Sequence, residues 1–183
     1  MKISEKYYSW LAGIEGLPKM VQIALDLGRI NTSEVPGPKS NAEILKLAAV
    51  AGISDIYKSD ETAWCAVAQT AIALQAAKVV PFIGWDRLRA ASFRKFGTHT
   101  DVPMLGDTLI FQRPGGFHVG IYIAEDSKCY HVAGGNQGNQ YSIVRIEKSR
   151  LLEARRPEYK TGQPASVQQI FVDAAGAISS NEA

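Results

Sequence analysis

Two cysteines and three histidines stand in the 183-residue chain, and their settings differ. A cysteine attacks as the thiolate, and a helix start favours that form, because unpaired amides and the macrodipole stabilise negative charge there. Cys65 follows Ser59-Asp60-Glu61-Thr62, whose side chains can cap a helix. It heads residues 63–78, a run rich in Ala, Val, Ile and Leu with no Gly or Pro. This placement predicts either a nucleophile or a small buried thiol on a core helix. Cys129 lies in the strand-like run Cys129-Tyr130-His131-Val132 and reads as core. A Cys65–Cys129 disulfide is the competing use of the pair.

The base for such a nucleophile meets it in space, not in sequence. His118 follows the turn Pro114-Gly115-Gly116-Phe117 and opens a strand, where a rigid sheet can aim an imidazole. His99 sits in the polar stretch Gly97-Thr98-His99-Thr100. His131 lies one strand beyond His118, as a core residue or as a partner near the site. A catalytic imidazole also needs a group that orients its other nitrogen. The run Gly134-Gly135-Asn136-Gln137-Gly138-Asn139 follows the next strand. Antiparallel pairing can bring Asn136 beside His118, or the run is simply a glycine-rich hairpin loop.

The elements that must position these residues change in texture near residue 102. Before it, apolar residues recur at helical spacing over 7–28, interrupted at Pro18. A second helix follows a cap at Ser40 or Asn41 and ends before Gly52. The Cys65 helix follows, and another is expected over 85–93. Beyond residue 102, strands are expected around 109–111, 118–123, 129–132 and 141–144, separated by Gly- and Pro-rich turns. Helices first and an antiparallel sheet after them predict an α+β fold rather than alternating βαβ units. Residues 1–157 form one domain on this reading. Residues 158–183 form a tail with a helix at 167–175 and a frayed end.

Composition narrows the function. The net charge is +2, with 20 basic against 18 acidic residues and no long block of either sign. That argues against nucleic acid as a partner. No apolar stretch approaches the ~20 residues of a membrane span. The N-terminus lacks the apolar run of a secretory signal, so synthesis in the cytoplasm is expected, with delivery by other means. The four residues Cys65, Cys129, His118 and His131 lack the close pairs typical of zinc sites. Asp55, Tyr57, Ser59 and Asp60 lack the alternating carboxylates of a calcium loop. Neither metal nor cofactor is expected.

Taken in order, Trp64-Cys65-Ala66, Gly106-Asp107-Thr108-Leu109-Ile110-Phe111, His118-Val119-Gly120-Ile121-Tyr122 and Gly134-Gly135-Asn136-Gln137 resemble the motifs of NlpC- and CHAP-like peptidoglycan peptidases. The branch found in bacteriophage lysins and prophage proteins is most similar. Glu34-Val35-Pro36-Gly37 and Arg150-Leu151-Leu152-Glu153-Ala154-Arg155-Arg156-Pro157 look like its lead-in and close. The likeness covers roughly residues 7–157. It implies a papain-like fold, N-terminal helices packed on a central antiparallel sheet, in a monomer that cleaves an amide of peptidoglycan, in the stem peptide or at the muramoyl-alanine link. It carries the nucleophile to Cys65 and the base to His118. A Glu common in CHAP enzymes reads here as Gly134, which leaves Asn136 as orienting residue, or His131 as in NlpC-type enzymes. Trp64, Asn139 and Gln140 are candidates to contact substrate. The alternatives are a non-catalytic wall-binding or phage structural protein on the same fold, and a toxin-like effector with the same chemistry.

Overall fold

A computed structural model of the chain describes residues 5–30, 32–173, 177–180 and 182. Its helices are α1 (Glu5–Tyr8), α2 (Lys19–Arg29), α3 (Ala42–Val50) and α4 (Cys65–Gln75). Pro18 divides the first helical region as its missing amide requires. It stands before α2, and its carbonyl accepts from the amides of Val21 and Gln22. Asn41 caps α3, its Oδ1 accepting from the Glu43 amide at 2.7 Å. Residues 85–93, expected as one helix, instead form two 3-10 turns, Gly84–Leu88 and Ala90–Lys95. Exposed Trp85 and Ile83 on one side, and buried Phe93 on the other, supply no continuous apolar face for a full α-helix.

Six antiparallel strands follow: β1 (Thr98–His99), β2 (Thr108–Arg113), β3 (Gly116–Glu125), β4 (Cys129–Gly134), β5 (Ser142–Glu147) and β6 (Leu151–Arg156). Their order across the sheet is β1-β6-β2-β3-β4-β5. The fold is thus mixed α+β. β6 was legible only as a charged closing segment. It enters the sheet because Ala154 faces the core while Glu153 and Arg155 pair with each other outside it. At the sheet entry, buried Asp107 accepts from the Met104 amide and from Nε and Nη2 of Arg156.

Strand pleating divides the apolar side chains between two faces. Ile110, Val119, Ile121, Ile123 and Ala133 pack with α2, α3 and α4. Leu109, Phe111, Tyr122, Val132 and Ile146 form a second cluster on the opposite face. Helix α4 is buried from Cys65 through Ala73, and Gln69 of α4 donates to Thr108 of β2 at 2.8 Å. At about 1.5–3 kcal/mol for each fully buried large aliphatic side chain, Val67 and Ile72 alone anchor this helix firmly to the sheet. Among the described residues no helix is long and apolar enough to cross a membrane.

The tail departs from expectation. No helix forms at 167–173, and residues 174 and 175 of the expected helix lie outside the described set. The described part runs extended, with Phe171 bridged to Glu125 and Ile178 bridged to Arg145.

Candidate active site

Cys65 is the first residue of α4, as its sequence setting predicts. The cap differs. The side chains of 59–62 do not close the helix start, and Asp60 instead accepts from the amides of Val35 and Asn41. The group at the helix entry is Asn136, whose Oδ1 accepts from the Trp64 amide at 2.9 Å. Asn136 holds a left-handed backbone, φ 61°, a conformation that Asn tolerates better than most residues. Its side chain therefore braces the start of α4 and does not bond the imidazole.

His118 lies on β3 opposite Phe111 of β2, and its side chain is fully buried. Its Nε2 lies 3.0 Å from Gln137 Oε1. The Gln137 amide cannot be the other way round, because its Nε2 donates to the carbonyls of Val132 and Ser142 at 3.2 and 2.6 Å. The oxygen thus faces His118, so imidazole Nε2 carries the proton and Nδ1 is left as the acceptor. Nδ1 is buried and has no hydrogen-bond partner among the described residues. The side chain that meets His118 is Gln137, one position beyond the expected Asn136. Gly134 explains how it fits. A Cβ there would stand 3.0 Å from Gln137 Oε1 and 3.3 Å from His118 Nε2, so the residue without a side chain admits the contact.

The thiol and the imidazole approach β3 from different sides. Val119 points toward the helices, whereas His118 shares the face of Phe111. Pairing of β4 with β3 begins only at Ile121↔Ala133, so no β4 residue pairs with 118–120. The amide of Val119, next to His118, favours the Cys65 thiolate, as do the amides of Ala66 and Cys65 itself. Burial outweighs all three and pushes the thiol up. Burial also pushes His118 down, to about 4. The pair therefore rests as neutral thiol and neutral imidazole, not as the ion pair that a helix start alone suggests. The Arg113 charge acts on both groups.

His131 occupies a separate cluster. Its Nε2 donates to Asp126 Oδ2 at 2.9 Å and its Nδ1 accepts from Tyr8 Oη at 2.8 Å. It orients nothing at His118. His99 is exposed beside Asp101. Both cysteines are free, which removes the disulfide, and among the described residues no three His, Cys, Asp or Glu side chains gather as a metal site.

Trp64 is not placed to touch a substrate. It is fully buried, its Nε1 donates to Glu34 Oε1 at 2.8 Å, and its ring lies against Gly135, where a Cβ would come within 2.5 Å. Asn139 and Gln140 line a surface hollow of about 580 Å³, together with Glu34, Glu61 and the 35–37 turn. Glu34 connects the wall of that hollow to Trp64 and so to the residue before Cys65.

Comparison of the sequence with family models and with curated proteins, and of the fold with solved structures, finds no match.

Proposed function

We propose that the protein is a cysteine peptidase or amidase of the papain-like, NlpC- and CHAP-related kind, acting on peptidoglycan. One observation carries the chemistry: a buried imidazole whose Nε2 is held by a fixed amide oxygen and whose Nδ1 is unoccupied, on the strand whose next amide meets the thiol of a helix-start cysteine. The choice of peptidoglycan rests on the ordered motifs of the sequence.

The steps follow from these roles. His118 and Cys65 stand on different sides of β3, so the reaction requires a rearrangement that brings Sγ within reach of Nδ1. Nδ1 of His118 then takes the thiol proton, and Sγ of Cys65 attacks the amide carbonyl. The developing oxyanion lies near the Cys65 amide at the head of α4, where the helix dipole favours negative charge. The imidazolium gives its proton to the leaving amine. Water, deprotonated by the same nitrogen, then releases the acid and restores the thiol. Gln137 keeps the imidazole in the required tautomer without adding charge.

The burial of Cys65, 5% exposed, and of His118, 0% exposed, favours a second reading, a wall-binding module that kept the fold. Incubation of wild type and Cys65→Ala with peptidoglycan sacculi, followed by mass spectrometry of the soluble products, separates the two. Release of stem peptides or trimmed muropeptides by wild type alone is the expected result. Binding of sacculi by both proteins without release, across several wall chemistries, establishes the binding module instead.

A further inference from the structure

A hollow of about 460 Å³ lies between the chain just past the end of α4 and the segment that follows β6. Three lysines line it, Lys78, Lys95 and Lys160, against one acidic residue, Glu158, an excess of two positive charges. The lysine ion pairs among the described residues belong to Lys46 and Lys148, so these three ammonium groups have no carboxylate partner there. Lys78 Nζ stands 4.3 Å from the centre of the Tyr159 ring and donates to the main-chain carbonyl of Glu158. Burial, and then the charge of Lys160, hold Lys78 below the usual lysine range, as expected where like charges are kept together. The rest of the wall is largely apolar and includes Val79, Pro81 and Phe96.

The apolar wall continues onto the surface. Val79 is 75% exposed and Ile83 78%, with Pro81 exposed between them, whereas Val80 and Phe82 are buried in the core. The alternation turns Val79, Pro81 and Ile83 outward together. Trp85, two residues on, is 63% exposed. Arg87 fixes this segment by donating from Nε to the Phe82 carbonyl at 2.9 Å and from Nη1 to the Ala51 carbonyl. Unpaired lysines alone would suit any soluble polyanion, but such a partner gives exposed Val, Ile and Trp side chains nothing to enter. A bilayer surface with anionic lipids accounts for both, because basic residues are drawn to its charge and Trp is favoured at its interface. We propose that this face is a peripheral membrane-docking surface: the lysines around the hollow take the phosphate headgroups of anionic phospholipids, and Val79, Ile83 and Trp85 enter the interfacial layer. The proposal is independent of the peptidase reading, since none of these residues belongs to the candidate active site.

Co-sedimentation of the full chain with phosphatidylcholine vesicles, with and without phosphatidylglycerol, tests this. Binding to the phosphatidylglycerol vesicles and its weakening by added salt are expected. Lys78→Gln/Lys95→Gln/Lys160→Gln should lower the partition about a hundredfold, at about fivefold for each lysine near an anionic surface. Ile83→Ser and Trp85→Ser should each lower it about tenfold. A blue shift of tryptophan emission on vesicle addition, lost in Trp85→Phe while partition persists, is the expected sign of that side chain at the interface. Thermal melts show whether each variant is folded. Lys95 and Lys160 carry no ion pair to lose, so Lys95→Gln/Lys160→Gln keeps the test intact if Lys78→Gln destabilises the fold. Equal partition onto both kinds of vesicle overturns the proposal, as does wild-type partition of the lysine variants. Binding of soluble polyphosphate that competes with the vesicles, with no effect of Ile83→Ser or Trp85→Ser on either, makes the face a polyanion site instead. A dimer in sedimentation without vesicles that Ile83→Ser abolishes makes it a contact between copies, and likewise overturns membrane docking.

Discussion

Two buried histidines on neighbouring strands have opposite surroundings. His131 is saturated: a carboxylate at one nitrogen, a phenol at the other, and Arg145 donating to the same carboxylate oxygen at 2.8 Å. His118 is half used: a neutral amide at Nε2 and, among the described residues, nothing at Nδ1. Both are held below their ordinary proton affinity by burial, although Asp126 opposes this at His131. A histidine with both nitrogens bonded to side chains that are themselves bonded is a brace, here tying α1 to β4. One with a vacant acceptor keeps the nitrogen that the proposed proton transfer would use.

The sharpest test of this contrast is activity. His118→Ala is expected to lower turnover on sacculi by about 10³-fold or more, the scale seen when one member of a nucleophile–base pair is removed. His131→Ala should leave turnover per folded molecule within about threefold and lower the melting temperature instead. Reversed outcomes would exchange the roles of the two residues.

Stability probes the brace. Asp126 holds Arg145, His131 and the amides of Lys128 and Cys129, and these contacts hold its carboxyl well below the usual range. Asp126→Ala is expected to cost about 3–5 kcal/mol in denaturant unfolding, as when one partner of a buried ion pair is removed.

The pH dependence separates the pair again. His118 binds a proton near 6.5 when unfolded and near 4 when folded. Between those values the unfolded chain holds more protons, so stability falls as pH drops from about 6.5 toward 4. The difference amounts to about 3 kcal/mol. His118→Gln should show a visibly shallower fall between pH 7 and 4.5 in chemical unfolding. An unchanged slope would mean that His118 is solvated in the folded protein.

The smallest effect concerns orientation. Gln137→Leu keeps the volume but removes the oxygen that selects the tautomer. A loss of about ten- to a hundredfold in turnover is expected, the larger part in kcat, with an altered pH–rate profile. Gln137→Glu should restore part of the rate while raising the apparent pKa of the base. A loss confined to thermal stability would reduce Gln137 to a packing residue.

Local chemistry in the sequence determined a good deal. The α+β order, the break at Pro18, the Asn41 cap, the head position of Cys65 and the burial of Cys129 all follow from spacing and residue type within about one helix or strand, where each residue's neighbours are known in advance. The register beyond β4 is not local. Gln137 rather than Asn136 meets His118 because the chain turns at Gly135 against Trp64, and that turn depends on a helix seventy residues earlier. Charged β6 became a strand because β2 offers it an antiparallel edge, and β1 pairs on its other side. The burial that neutralises the Cys65 thiol belongs equally to tertiary structure. Periodicity along the chain specifies which faces are apolar. It carries no information on which polar atoms from distant segments will be enclosed together, and it is that enclosure which sets protonation, tautomer and access at the candidate site.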